Sequence, residues 1–158
     1  MHRRRIFQVV AIAGAIAAYL TIIVGGDVRS SEAGLACGAS WPLCSGSIIP
    51  DLSNPHVAIE FAHRVIAFVT SLVILLTLIL AFLWYRRDPR ILLLSIASMV
   101  LLVSQVLLGM VTVQSDLNGA VVTAHLALGT ATFATALVLA VVALMPPSSK
   151  PAAEGTPT

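Results

Sequence analysis

The stretch AIEFAHRVIAF, residues 58–68, places Glu60, His63 and Arg64 at the head of a long apolar run. A second histidine, His125, stands in an equally apolar setting, AHLALGTAT, and the only two cysteines, Cys37 and Cys44, fall in CGASWPLC. Imidazole ligates metals and carries protons near neutral pH. A carboxylate in an apolar site serves as a general base or stabilises developing charge. Arginine holds carboxylates through charge-assisted bonds. Ionisable groups within a membrane span are costly to keep there and point to function or to a paired structural contact.

The surrounding elements are membrane spans. The chain is 58% hydrophobic and 10% charged, with a mean hydropathy of +0.99, against about 25% charged residues in a soluble domain. Apolar runs cover residues 6–24, 55–84, 91–113 and 121–145, each long enough for the ~20 residues that cross a ~30 Å hydrocarbon core. An all-α membrane protein with four transmembrane helices follows, because a helix satisfies its own backbone in lipid. Asn54-Pro55 reads as an N-cap followed by proline at the first helical position, which starts the second helix there. Arg3, Arg4 and Arg5 precede the first helix, and Arg86, Arg87 and Arg90 sit between the second and third. The positive-inside rule then predicts an up-down-up-down bundle with both termini cytoplasmic, the loop 25–54 outside, and Trp84 and Tyr85 in the inner aromatic belt. The first run also has features of a secretory signal, with Ala15-Ile16-Ala17 as a cleavage site, but it continues well past those alanines. The four-helix domain spans 1–145, and the Pro- and Ala-rich tail 146–158 is expected to be disordered. The net charge of +2 reports topology, and no nucleic-acid partner is expected.

Counting places the histidines together. From Trp84 back to His63 is 21 residues (84 − 63), and from Met145 back to His125 is 20 (145 − 125). At the helical rise both lie about 30 Å from the inner end. In such a bundle the second and fourth helices face each other diagonally, so a flat cofactor fits between them. The two local sequences match as well: alanine before each histidine, a small residue four later (Ala67, Gly129) and threonine seven later (Thr70, Thr132). The chain reads as two helix-pair repeats, and haem ligation by the paired imidazoles is their simplest joint use. The alternative is a plain hydrogen bond from each histidine to a neighbouring helix.

Glu60 breaks the repeat, since Val122 occupies the matching place on the fourth helix. It shares a face with His63, and its use is either catalytic or an ion pair with Arg64 or Arg29. Those two arginines, at the outer boundary, suit cofactor carboxylates such as haem propionates, or serve as snorkelling anchors. Cys37 and Cys44 either close a ring on an oxidising face, form a redox pair, or stand as separate thiols.

The segments GGDVR (25–29), AGLAC (33–37), WPLCSG (41–46), IEFAHR (59–64), QVLLGMVTV (105–113) and VVTAHLAL (121–128) together resemble the haem A synthase family, membrane enzymes that oxidise a ring methyl of haem O to a formyl group. The resemblance covers most of the chain outside the termini and the middle loop. It implies that His63 and His125 ligate haem iron and that Glu60 is a catalytic carboxylate beside the substrate haem. It further implies that Cys37 and Cys44 form an outer-loop disulfide, that haem b is a cofactor or haem O the occupant, and that the protein lies in the cell membrane. Haem O synthase and terminal-oxidase assembly become expected partners, along with membrane lipid.

Family members usually have eight spanning helices in two similar halves, and this chain resembles the half that carries the cysteines. A homodimer would restore the eight-helix arrangement, with Gly14, Ala18 and Gly25 on the first helix as an expected small-residue interface. Val28 stands where the family pattern Gly-Gly-x-Thr-Arg has threonine, so a hydroxyl role there is lost. Two other classes compete. A non-catalytic di-histidine cytochrome for electron transfer leaves Glu60 and the cysteine loop without a task. A quinone-linked thiol-oxidising four-helix protein expects a Cys-x-x-Cys pair, which this chain lacks.

Overall fold

The computed structural model describes residues 2–146. It holds four helices, α1 (His2–Ser30), α2 (Pro55–Trp84), α3 (Pro89–Gln114) and α4 (Gly119–Leu144). All four are long and apolar enough to cross a membrane, and among the described residues no strand is formed. The protein is an all-α membrane bundle. The tail expected to be disordered lies, beyond Pro146, outside the described residues.

Local chemistry sets the helix starts. The side chains of Asn54, Asp88 and Asn118 accept from the backbone N–H two residues on, at His56, Arg90 and Ala120. Pro55 and Pro89 follow their caps directly. Each cap satisfies a donor that the first turn leaves open, and proline there forfeits no bond.

The ends of α1 differ from the expected 6–24. The helix begins at His2 and runs on to Ser30, so the following loop is 31–54 rather than 25–54. Apolar runs mark the hydrocarbon thickness, whereas a helix continues until something caps it. Gly25, Gly26 and Asp27 do not. The stop comes at Glu32, with φ 57°, where Ala33 N–H reaches back to Val28 O (3.0 Å) and Glu32 N–H to Arg29 O (3.4 Å). That pattern is a Schellman cap. The end of α3 repeats it: Asp116 has φ 51°, Leu117 N–H bonds Thr112 O (3.1 Å), and Asp116 N–H bonds Val113 O (3.2 Å).

Neighbouring helices pack in the cyclic order α1, α2, α3, α4, leaving α2 and α4 across the interior from each other. One end is tightly closed. Phe7 is fully buried, with its ring 4.6 Å from that of Tyr85, and it joins a core of mostly small residues including Ala11, Ala81, Ala140 and Ala143. Gln8 donates to Ala143 O (2.9 Å) and Arg4 to Met145 O (2.8 Å). The ends of α2 and α4 therefore share a level beside the start of α1, the level from which the two histidines were counted. Outward, Phe68, Leu83 and Leu93 are 63–64% exposed, as side chains facing lipid are.

Candidate functional site

At the opposite end of the bundle the loop is folded and fastened to α2. Cys37 and Cys44 are joined in a disulfide, and both are buried. Cys44 and Ser47 exchange backbone hydrogen bonds (3.1 and 2.9 Å) around Ser45 and Gly46, whose φ values of 51° and 78° make the tight mirror-image turn that matches strand twist. Ser45 N–H returns to Cys37 O at 2.9 Å. The result is a closed ring with its amide edge and its carbonyl edge presented to α2.

Glu60 and Arg64, one helical turn apart, grip those two edges. Glu60 is 3% exposed; its Oε2 accepts from Cys37 N–H at 2.7 Å, and its Oε1 accepts from Arg64 Nη2. Arg64 Nη1 donates to Leu43 O (2.7 Å) and Ser40 O (3.0 Å). Both carboxylate oxygens thus have a donor, and the guanidinium is committed to the ring. Arg29, the other arginine expected at cofactor carboxylates, is exposed in the last turn of α1, where a cation complements the helix dipole. It forms no ion pair among the described residues.

The histidines each rest on a glycine of the preceding helix. A β-carbon at Gly25 would lie 3.0 Å from His63 Cε1, and one at Gly109 would lie 3.1 Å from His125 Cε1. A methyl at either place would need the imidazole to give by a few tenths of an ångström, so glycine gives each ring its closest seat. Nδ1 of His63 and Nδ1 of His125 are both buried with no hydrogen-bond partner. Two buried imidazoles on facing helices are residues that could hold a haem iron, for which imidazole is a ligand. Thr70 and Thr132 are buried as expected, but their hydroxyls donate to their own helices, at Ile66 O (2.8 Å) and Leu128 O (2.9 Å), and Thr70 also meets Thr21 (2.8 Å).

Two features escaped the sequence reading. The glycines beneath the histidines extend the repeat to the first member of each helix pair: Gly25 and Gly109, like Glu32 and Asp116 in the caps, stand 84 residues apart. Their signal was the small residue at matching places before each Schellman stop. The second is Gln105, which meets His125 and was visible as the lone amide inside an apolar run, one turn before Gly109. Of the small residues expected at an interface on α1, Gly14 and Ala18 are buried inside the bundle. Gly14 faces Val73, Ile74 and Thr77 of α2, and Gly25 faces His63, while Ala18 is 5% exposed. Gly14 and Gly25 are small where α2 passes close, and Gly25 keeps part of its surface exposed.

The fold and site define a multi-pass, all-α membrane protein with two buried imidazoles on facing helices and a disulfide ring fastened to α2. The chain belongs to the COX15-CtaA family, described as cytochrome oxidase assembly protein, which it matches over residues 8–157. It is similar to proteins named heme A synthase. That of Lysinibacillus sphaericus is 30% identical over 142 residues, 90% of this chain and 46% of the relative. Those of Bacillus pumilus (34% over 125 residues) and Geobacillus thermodenitrificans (32% over 125 residues) each cover 77% of this chain. The chain spans less than half the length of these relatives.

Proposed function

We propose that this chain serves haem A synthesis, binding a haem between α2 and α4 through His63 and His125 and presenting Glu60 to the ring methyl of haem O that becomes a formyl group. The observation that carries this reading is the pair of buried, unpartnered imidazole nitrogens on facing helices, in a chain whose relatives are named heme A synthase. Converting a methyl to an aldehyde adds one oxygen, formally from water, and releases four electrons and four protons. Bound haem would pass those electrons singly to an external acceptor, a quinone or dioxygen, which the oxidation requires, and the protein would supply position and electrostatics. Glu60, three residues before His63, is the carboxylate available to take a proton or to balance positive charge at the methyl. Its direction is fixed by Cys37 N–H and Arg64, so Arg64 acts by positioning Glu60, and Arg29 is the arginine left to hold a propionate.

In this reading the arginine-rich end faces the cytoplasm and the disulfide ring faces the oxidising outer side of the cell membrane. A homodimer supplies the second four-helix unit, with haem b in one unit and substrate haem O in the other, and haem O synthase and the terminal oxidase stand before and after it. The test is to express the chain in cells that make haem O, extract the haems and separate them by chromatography. Haem A is expected from wild type. Bound haem without haem A would transfer the assignment to an electron-transfer cytochrome.

A further inference from the structure

The end of the bundle opposite the disulfide ring carries a feature that haem ligation does not use. An open cleft of about 540 Å³ lies among the start of α1, the end of α2, the turn into α3 and the end of α4. Arg4, Arg86, Arg87 and Arg90 line it against one carboxylate, Asp88, a surplus of three positive charges. Arg4 Nη2 donates to Met145 O (2.8 Å) and Leu144 O (3.3 Å), Arg86 Nε donates to Phe82 O (3.3 Å), and Arg90 Nε lies 3.6 Å from Asp88 Oδ1. Those contacts engage one nitrogen of each guanidinium, a group that carries five N–H donors. Arg87 is exposed and enters no ion pair among the described residues. Orientation in a membrane needs positive charge on one side only, and Arg3 and Arg5 supply it from outside the cleft lining. It does not need four guanidiniums sharing one opening, where like charges repel unless an anion sits among them.

We propose that this cleft binds an anionic phospholipid of the adjoining leaflet, its phosphodiester held by the arginines and an acyl chain lying against the apolar part of the lining. Guanidinium recognises phosphate oxygens through paired, charge-assisted hydrogen bonds, and basic pockets between spanning helices take acidic lipid headgroups. The remaining lining favours a lipid over a free phosphate ion. Ile91 and Ala143 belong to the buried core, and Trp84, Tyr85 and Val142 pack against it. Leu83 and Leu144, each beside a lining residue in the chain, are exposed, so lipid-facing apolar surface adjoins the cleft.

Trp84 lines the cleft and serves as the reporter. The only other tryptophan is Trp41, inside the disulfide ring, so in a Trp41→Phe background fluorescence reports Trp84 alone. The protein, in detergent micelles that remove any dependence on insertion direction, is titrated with phosphatidylglycerol or phosphatidylcholine brominated on the acyl chains. Phosphatidylglycerol is expected to quench Trp84 at a lower lipid fraction. Arg87→Gln and Arg90→Gln each remove one charge and leave the Asp88 cap on the Arg90 backbone N–H in place. An arginine at an anionic surface is worth about fivefold in binding, so each variant should lower the preference for phosphatidylglycerol by about that factor. Arg5→Gln removes a charge from the same end but outside the cleft lining, and should leave the preference unchanged. Equal quenching by the two lipids, or an equal loss in all three variants, overturns the proposal, because general charge attraction would then suffice. Release of brominated phosphatidylglycerol by millimolar inorganic phosphate at constant ionic strength overturns it as well, and assigns the cleft to a free phosphate species.

Discussion

Replacing Glu60 by glutamine has a consequence that can be calculated from its contacts. Two donors converge on the carboxylate, Cys37 N–H on Oε2 and Arg64 Nη2 on Oε1, with the group 3% exposed. Glutamine fills the same volume but offers one acceptor, and its amide N–H2 must face the other donor. One charge-assisted bond survives at neutral strength and the other becomes a donor–donor contact. Bonds to charged groups are worth about 1.5–3 kcal/mol, and burial leaves little solvent screening to reduce that figure. Each ~1.4 kcal/mol is a factor of ten, so release of the ring from α2 should become about 10- to 100-fold more frequent. Hydrogen exchange at the Cys37 amide, with the disulfide intact, reads this directly. The Gly38 N–H bond to Leu35 O (3.0 Å) lies within the loop and provides the internal reference. Equal Cys37 exchange in wild type and Glu60→Gln would refute the two-donor grip. If the grip is real, loss of haem A in Glu60→Gln has two sources, and the Arg64→Met variant, which keeps the carboxylate but loosens the ring, separates positioning from proton transfer.

Gly25→Ala and Gly109→Ala should each shift an imidazole by a few tenths of an ångström and weaken haemin binding relative to wild type while helicity by circular dichroism is kept. Gly26→Ala, with nothing within 4 Å of its added carbon, should bind haem normally. Replacing Cys37 and Cys44 together by serine frees a ring with a sequence separation of 7, costing about 2.5 kcal/mol in the chain-entropy model; limited proteolysis should cut the loop faster and leave the helices whole. Asp51, in the loop, has its pKa lowered from 3.8 by bonds from the Ser53 amide and hydroxyl. These bonds should hold above pH 3.8 and be lost as pH falls through the lowered value, which carboxyl-carbon NMR titration would follow; a midpoint at or above 3.8 would contradict them.

Much of the fold was legible because the membrane imposes simple rules. Four apolar runs gave four helices, and Asn54-Pro55 marked the start of α2 to the residue. The end of α1 was not legible, since its stop is a non-glycine left-handed cap at Glu32 that no breaker residue announces. At the site, the shared starting level for counting back to His63 and His125 is real, because α2 and α4 both finish beside the start of α1. The partner of Glu60 on its own helix, Arg64, was foreseeable from the four-residue spacing. Its second partner, the Cys37 amide, was not, because backbone donors carry no sequence signal and the contact depends on how the ring folds. Gly14 and Ala18, expected on a surface for another copy, are buried within one chain. Small residues admit any close neighbour, and sequence does not say whether that neighbour belongs to the same chain.

The direct test of the paired-imidazole centre is the low-temperature electron paramagnetic resonance spectrum of haemin-loaded protein, compared among wild type, His63→Ala and His125→Ala. Two axial imidazoles predict a low-spin ferric signal in wild type that is lost or converted to high spin in each variant, because each removes one strong-field ligand. An unchanged low-spin signal in both variants would contradict ligation by this pair.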